Sequence, residues 1–375
     1  MVVFCEHQTE STPEETTCSS SVNQKPLAVS DLWASEITPS SLVLNWNYTD
    51  GCGPVTYIVT GGSLPAKGQV VSGTSTLITD LPCGGEVTFT VVAVAADGTT
   101  QGEAKDFSVF TKPLAVSDLW ASEITPSSLV LNWNYTDGCG PVTYIVTGGS
   151  LPSKGQVVSG TSTLITDLPC GGEVTFTVVA VAADGTSQGE AKDFSVFTKP
   201  LAVSDLWASE ITPSSLVLNW NYTDGCGPVT YIVTGGSLPA KGQVVSGTST
   251  LITDLPCGDE VTFTVVAVAA DRSTQGEAKD FSVFTTPLPV SDLWASEIKP
   301  SSLVLSWNYT DGCGPVTYLV TGGSSPAEEQ VVSGTSTLIS NLPCGDEVTF
   351  IVAAVTADGM TKGEAKGFSV FTSKI

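Results

Sequence analysis

Histidine is almost absent from this chain of 375 residues, because its single copy is His7 near the N-terminus. A Ser-His-Asp or Cys-His catalytic arrangement and a histidine metal site are therefore excluded from the rest of the sequence. CxxC spacing, a Gly-rich phosphate loop and a basic-aromatic patch are also missing. We predict no catalytic residue, no cofactor and no bound metal, and hence that the chain is not an enzyme.

Positive charge is scarce as well. Lysine and arginine number 14 against 38 aspartates and glutamates, which gives a formal net charge of −24. Such a chain is repelled by a phosphate backbone and by an anionic membrane surface. The composition therefore excludes nucleic acid as a partner.

Long hydrophobic runs are missing. The longest apolar stretch, Val87–Ala96 and its copies, has about half of the roughly 20 residues that a membrane-spanning helix needs. The N-terminal sequence turns polar after five residues and so lacks the apolar core of a secretory signal. We expect no membrane insertion in this segment, and we expect the chain to be a fragment of a longer protein.

A repeat of 87 residues organises what is present, because Pro26 recurs as Pro113, Pro200 and Pro287. The period is too long for a solenoid unit and suits a small independent domain. We predict an N-terminal tail, or the remnant of a preceding repeat, followed by four domains, with boundaries at 1–25, 26–112, 113–199, 200–286 and 287–375.

Alternating apolar residues dominate each repeat. Segments such as SLVLNW, TYIVT and EVTFTVVAV read as short strands, and the Gly- and Pro-rich segments TDGCGP, TGGSLP and LPCGG read as turns. About seven strands of this kind are typical of a two-sheet sandwich. The sequence therefore predicts an all-β protein of four tandem seven-stranded antiparallel immunoglobulin-like sandwiches.

The order and spacing of these strands resemble a fibronectin type III domain. Trp46 matches the strand B tryptophan of that family, Tyr57 and Val59 match its strand C, and Leu81 matches the corner between strands E and F. Val87 stands where the family usually has a tyrosine, so the buried hydroxyl of that corner is missing and the corner must be held differently. The LPCG corner is also weakly similar to that of fibronectin type III domain-containing protein 7-like proteins.

The resemblance, together with the alternation, indicates which side chains form the core. In the first repeat these are Leu42, Leu44, Trp46, Tyr57, Val59, Phe89, Val91 and Ala93. The core tryptophan recurs in every repeat as Trp46, Trp133, Trp220 and Trp307.

Each repeat has two cysteines, one in the B–C loop and one at the E–F corner. In the sandwich topology these lie at opposite ends, and a strand of about eight residues spans some 26 Å, whereas bonded cysteines have Cα atoms within about 7 Å. We therefore predict bonds between successive repeats, which would stiffen the array into a rod, with a bond inside each repeat and reduced thiols as alternatives. The predicted pairs are Cys83–Cys139, Cys170–Cys226 and Cys257–Cys313.

This pairing leaves Cys52 without an upstream partner unless Cys5 or Cys18 serves, and it leaves Cys344 without a downstream partner. Regular cysteine pairs indicate an oxidising compartment. We therefore expect an extracellular or cell-surface location.

Glycosylation is predicted at the sequon Asn-Tyr-Thr that ends strand B in every repeat. The acceptor residues are Asn47, Asn134, Asn221 and Asn308.

Ile58, Val92 and Val94 are expected to point outward from the sheet that contains strands C and F. Repeated four times, this stripe predicts weak lateral self-association. The function that we infer from the sequence is a non-catalytic extracellular spacer or adhesion array that contacts extracellular proteins. The alternatives are a ligand-binding fragment of a receptor ectodomain and the spacer of a secreted hydrolase.

Overall fold

The computed structural model describes residues 25–48, 55–310, 312–323 and 329–374, and every regular element within these ranges is a β-strand. Cys5, Cys18 and Cys52 lie outside the described residues, as does nearly all of the predicted tail. The repeat boundaries stay a prediction.

Seven strands form in the first repeat, where apolar and polar residues alternate between turns that contain glycine or proline. They are β1 (Ser30–Ser35), β2 (Leu42–Asn47), β3 (Val55–Gly61), β4 (Gln69–Val71), β5 (Ser75–Ile78), β6 (Glu86–Ala95) and β7 (Lys105–Phe110).

The later repeats reproduce this set. The second contains β8 (Ser117–Ser122), β9 (Leu129–Asn134), β10 (Val142–Gly148), β11 (Gln156–Val158), β12 (Ser162–Ile165), β13 (Glu173–Ala182) and β14 (Lys192–Phe197). The third contains β15 (Ser204–Ser209), β16 (Leu216–Asn221), β17 (Val229–Gly235), β18 (Gln243–Val245), β19 (Ser249–Ile252), β20 (Glu260–Ala269) and β21 (Lys279–Phe284). The fourth contains β22 (Ser291–Ser296), β23 (Ser302–Asn308), β24 (Val316–Gly322), β25 (Glu329–Val332), β26 (Ser336–Ser340), β27 (Glu347–Thr356) and β28 (Lys366–Phe371).

Each repeat folds into two sheets. In the first, β1-β2-β5 form a three-stranded sheet and β4-β3-β6-β7 form a four-stranded sheet, and the same order recurs in the other three repeats. The strand pairs of the first repeat are antiparallel. These sheets correspond to strands A-B-E and C′-C-F-G of a fibronectin type III domain, so the predicted fold class is confirmed.

The core lies between the inner faces of the two sheets. Leu42, Leu44 and Trp46 of β2 are almost completely buried, and β3 and β6 contribute Tyr57 and Phe89 from the opposite sheet. The ring of Trp46 meets that of Tyr57 edge-on, with ring centroids 5.2 Å apart and an interplanar angle of 64°. The other residues predicted for the core, Val59, Val91, Ala93, Trp133, Trp220 and Trp307, are buried as well.

The predicted outward apolar stripe does not include an exposed Val94, because this side chain is only 2% exposed. Val94 forms an isolated bridge with Gln101 where the chain returns after the turn between β6 and β7. The backbone of Pro26 and Leu27, before β1, also comes close to Gly102 there. Val94 therefore lies at an end of the sheet where other segments of the chain come close. Ile58 and Val92 are half-buried.

Tertiary contacts divide the chain into two compact units. One contains the first repeat and most of the second, with Val130–Leu164 and Thr175–Phe194; the other contains Glu123–Leu129, Ile165–Val174 and the residues from Ser195 onward. The first unit includes the core around Trp46, and the second includes those around Trp220 and Trp307.

Candidate functional site

Three disulfides lie at the junctions between successive repeats. Each bond joins the cysteine at the E–F corner of one repeat to the B–C loop cysteine of the next, and the partners are 56 positions apart in the sequence. The Cα atoms are 4.8, 4.8 and 4.9 Å apart, within the usual range for a disulfide. The bonded pairs are Cys83–Cys139, Cys170–Cys226 and Cys257–Cys313.

These bonds occupy the cysteines that the two alternatives would need. Cys139 and Cys170 of the second repeat each bond to a different neighbouring repeat, so they neither pair with each other nor remain thiols. Cys344, at the equivalent corner of the fourth repeat, is exposed and is the one free cysteine among the described residues.

The backbone reinforces the first junction beside its disulfide. The Gly140 N–H donates to the Cys83 carbonyl at 2.8 Å, and the Gly84 N–H donates to the Lys112 carbonyl at 3.2 Å. A Cβ atom at position 140 would lie 2.6 Å from the Gly84 carbonyl oxygen, too close for any side chain. Glycine is therefore required here for the two backbones to meet.

A buried threonine hydroxyl takes the place of the missing corner tyrosine. Thr111, which follows β7 and is fully buried, donates through its Oγ1 to the Pro82 carbonyl at 2.6 Å and accepts from the Gly85 N–H at 3.2 Å. The hydroxyl thus fastens the end of the last strand to the corner that contains Cys83. Thr198, Thr285 and Thr372 make the same bond to the corner proline in the later repeats.

This threonine is not among the residues predicted from the sequence, although a signal was present. Phe107, Val109 and Thr111 occupy alternate positions, so a polar residue continues the inward face of β7. A hydroxyl at such a position needs a partner, and the exposed carbonyl groups of a neighbouring corner can supply one.

We expect Thr372→Val to destabilise the fourth repeat by about 1–3 kcal/mol, since it leaves the Asp346 N–H and the Pro343 carbonyl without their hydroxyl partner. Hydrogen exchange at the Pro343–Glu347 corner should accelerate. Thr349→Val is the matched control, because the Thr349 hydroxyl bonds to Ser369 on the exposed face. Equal exchange in both variants would contradict the assigned role.

The predicted glycosylation residues lie at the exposed ends of equivalent strands. Asn47 ends β2, and its Nδ2 donates to the Asp31 carboxylate at 3.2 Å. Thr49, the third residue of this first sequon, lies outside the described residues. The same amide-to-carboxylate bond recurs in the pairs Asn134–Asp118, Asn221–Asp205 and Asn308–Asp292.

Exposed tryptophans are a second feature that was not predicted from the sequence. Trp33 on β1 is 42% exposed, and its equivalents in the other repeats are exposed to the same degree. Leu77 on β5 of the same sheet is 59% exposed. The three-stranded sheet therefore has an apolar outer surface in every repeat.

A cleft of about 620 Å³ runs along the linker between the first two repeats. The linker backbone forms part of the junction, because the Lys112 N–H donates to the Thr38 carbonyl at 3.3 Å. The cleft is lined by residues that include Ile37, Pro39, Lys112, Leu114, Thr136 and Glu190.

The carboxylate of Asp97, in the turn after β6, accepts hydrogen bonds from residues of the same turn. Thr100 donates to Asp97 through its hydroxyl at 2.6 Å and through its N–H at 2.8 Å. These bonds, with a further one from the Thr99 N–H, lower the pKa of Asp97 to about 2.

Among the described residues no three His, Cys, Asp or Glu side chains cluster closely enough to hold a metal ion. Within the same ranges there is no apolar helix long enough to cross a membrane.

Comparison with known proteins finds relatives among much longer chains. The chain is 35% identical to receptor-type tyrosine-protein phosphatase eta of Gallus gallus over 373 residues, which are 96% of this chain and 26% of that protein. It is 31% identical to chitinase A1 of Niallia circulans over 187 residues, 47% of this chain and 26% of that protein. It therefore spans about a quarter of the length of these relatives.

Among solved structures, a two-domain fibronectin type III segment of chicken tenascin is 20% identical to the chain. The match covers 45% of this chain and 99% of that segment, with a TM-score of 0.32. No family model matches the sequence.

Proposed function

We propose that this tandem of four fibronectin type III domains is a non-catalytic extracellular array that acts as a spacer or adhesive segment and contacts other extracellular proteins. The observation that carries the proposal is the disulfide that closes each of the three junctions between repeats. A covalent bond at every junction limits how far neighbouring domains can separate, which suits a spacer that holds its length.

The location outside the cell is supported by chemistry. Disulfides persist in oxidising compartments and are rare in the cytosol. The Asn-Tyr-Thr sequons add a second argument, and we propose that Asn47, Asn134, Asn221 and Asn308 are glycosylated in such a compartment. The receptor-type name of the chicken relative agrees with a cell-surface location. Its name also includes a phosphatase activity, which we do not assign to this chain, because the two share only a quarter of that protein.

The junction geometry explains how such a spacer would resist bending. The Cys83–Cys139 bond and the Gly140 to Cys83 hydrogen bond lie side by side, and the Gly84 to Lys112 bond connects the same corner to the linker. A hinge motion between these two repeats would have to break the hydrogen bonds while the disulfide limits the separation. The angle between these two repeats is therefore restricted.

Two other functions each have a relative that favours them. Similarity to the receptor-type phosphatase favours a ligand-binding segment of a receptor ectodomain. Similarity to chitinase A1 favours the spacer of a secreted hydrolase. A membrane-spanning segment encoded in the complete gene product would favour the receptor ectodomain, whereas a hydrolase domain without such a segment would favour the spacer of a secreted hydrolase.

Single-molecule extension of the full chain tests the proposed spacer. Each disulfide bypasses 56 residue steps when the oxidised chain is stretched. Each step adds about 3.3–3.6 Å to an extended chain. With three bonds, the fully stretched oxidised chain should be on the order of 550–600 Å shorter than the reduced chain. Equal contour lengths with and without reductant would contradict the covalently closed spacer.

A further inference from the structure

The outer face of the three-stranded sheet has a defined pattern of side chains. Leu42, Leu44 and Trp46 point into the core, so the alternate residues of β2, Val43, Asn45 and Asn47, point outward. On the neighbouring strand β1, Trp33 lies opposite Asn45. The exposed indole is therefore on the same face as the glycosylation residue.

Trp33 and Asn47 are diagonal neighbours on this face. Ser30 lies opposite Asn47, and a β-bulge between Ser30 and Trp33 shifts the register, so that Asp31 carries the hydrogen bond from the Asn47 amide at 3.2 Å. Diagonal neighbours on adjacent strands are about 7–8 Å apart, within reach of a large side chain. A group attached to Asn47 is therefore within reach of the indole.

This juxtaposition is repeated in all four domains. The exposed fraction of the indole is 42–43% in every repeat, whereas the core tryptophans are 1% exposed. Trp33 and the exposed Leu77 belong to the same three-stranded sheet, and an exposed apolar patch of this kind is a surface on which another group can bind. The exposed tryptophans are Trp33, Trp120, Trp207 and Trp294.

We propose that each exposed indole is a stacking platform for the first N-acetylglucosamine of the glycan on the neighbouring asparagine. The inference rests on the proposed glycosylation. One face of the sugar ring carries only C–H groups and fits the flat apolar face of an indole. The platform would hold the glycan against the sheet and cover the tryptophan with the chain's own modification.

The bond chemistry leaves the local hydrogen bond in place. In the transfer, the asparagine Nδ2 forms a bond to C1 of the sugar, the bond from C1 to the lipid pyrophosphate donor breaks, and the amide loses one proton. Nδ2 keeps its second N–H. That N–H can still donate to Asp31, which fixes the direction in which the sugar leaves the sheet.

The charge of this face argues against a second copy of the chain as the group that covers the exposed tryptophans. In the first repeat, the segments Ser30–Tyr48 and Gly73–Asp80, which contain β1, β2 and β5, include Asp31, Glu36 and Asp80 but no lysine or arginine. Two such faces would repel each other, and the net charge of −24 adds to the repulsion. An uncharged sugar avoids this cost.

Quenching of tryptophan fluorescence by acrylamide tests the platform, because four indoles are accessible and four are buried. The full chain is secreted from eukaryotic cells that make high-mannose glycans and is trimmed enzymatically to one sugar per site. The control carries Thr49→Ala, Thr136→Ala, Thr223→Ala and Thr310→Ala, which remove the sequons but keep every asparagine. We expect the quenching constant of the accessible indoles to be about twofold lower in the sugar-bearing chain, because the sugar covers part of the exposed surface of each indole.

Intact mass separates the two ways in which the proposal can fail. Occupied sites with unchanged quenching would overturn the platform and leave the glycosylation standing. Unoccupied sites would overturn both. If added polylysine lowered acrylamide quenching of the indoles and the sugar did not, the proposal would be overturned. This face would then be assigned to a basic protein partner.

Discussion

Trp220→Ala is expected to lower the free energy of unfolding of the third repeat by about 3–5 kcal/mol, the usual cost of removing a buried indole. Trp220 is 1% exposed and packs edge-on against Tyr231 with ring centroids 5.2 Å apart. A small domain has only about 5–15 kcal/mol of stability, so the third repeat should unfold first. Calorimetry of the full chain should show one early transition separated from those of the other repeats.

Trp207→Ala provides a control within the same repeat. Trp207 is 42% exposed on the outer face, so its loss should change stability by no more than about 0.5 kcal/mol in a chain that carries no glycan. Hydrogen exchange can assign the effect, because Arg272 distinguishes peptides of the third repeat. If both variants were equally destabilised, the core position of Trp220 would not explain the result.

Replacing the pair Cys83 and Cys139 with serine is expected to lower the free energy of unfolding the first two repeats together by roughly 4 kcal/mol. The figure follows from the loop-closure entropy of a bond that spans 56 residues. The hydrogen bond from Gly140 to Cys83 should survive in the folded state, because both of its atoms belong to the backbone. Denaturant unfolding of the full chain, with and without the substitutions, measures the difference.

A protease site between Glu103 and Ala104 tests the connectivity directly. Both residues are exposed and lie between the two bonded cysteines, whereas Thr111 in the linker is fully buried and unsuited to an insertion. After cleavage, a denaturing gel should show one band without reductant and two bands with it. The chain with both serine substitutions should give two bands in either case. Two bands from the unsubstituted chain without reductant would mean that the Cys83–Cys139 bond is absent.

Much of the fold was predictable because alternation and turn chemistry act locally. The pattern in Leu42–Asn47 identified an inward face with Trp46 at its end, and the structure buries those residues. The cysteine positions were informative for a different reason: two residues at opposite ends of a sandwich cannot meet, whereas the ends of successive domains can.

The features that were not predicted depend on contacts that cannot be inferred from the alternation of apolar and polar residues. The β-bulge between Ser30 and Trp33 breaks the period of two on β1, so the outward direction of Trp33 could not be inferred from its neighbours. Val94 is buried at the end of β6 where the chain returns to pair with it at Gln101. Thr111 gives no hydrophobic signal, although it is as buried as any core residue of its repeat.

The placement of one bonded cysteine at each end of a domain has a consequence for how such proteins grow. The second repeat uses Cys139 toward the domain before it and Cys170 toward the domain after it. Inserting any whole number of 87-residue copies therefore adds equal numbers of both kinds of cysteine, and every new junction finds its partner. Gene duplication can lengthen the array without ever creating a mismatched thiol inside it, so selection is free to set its reach by copy number alone.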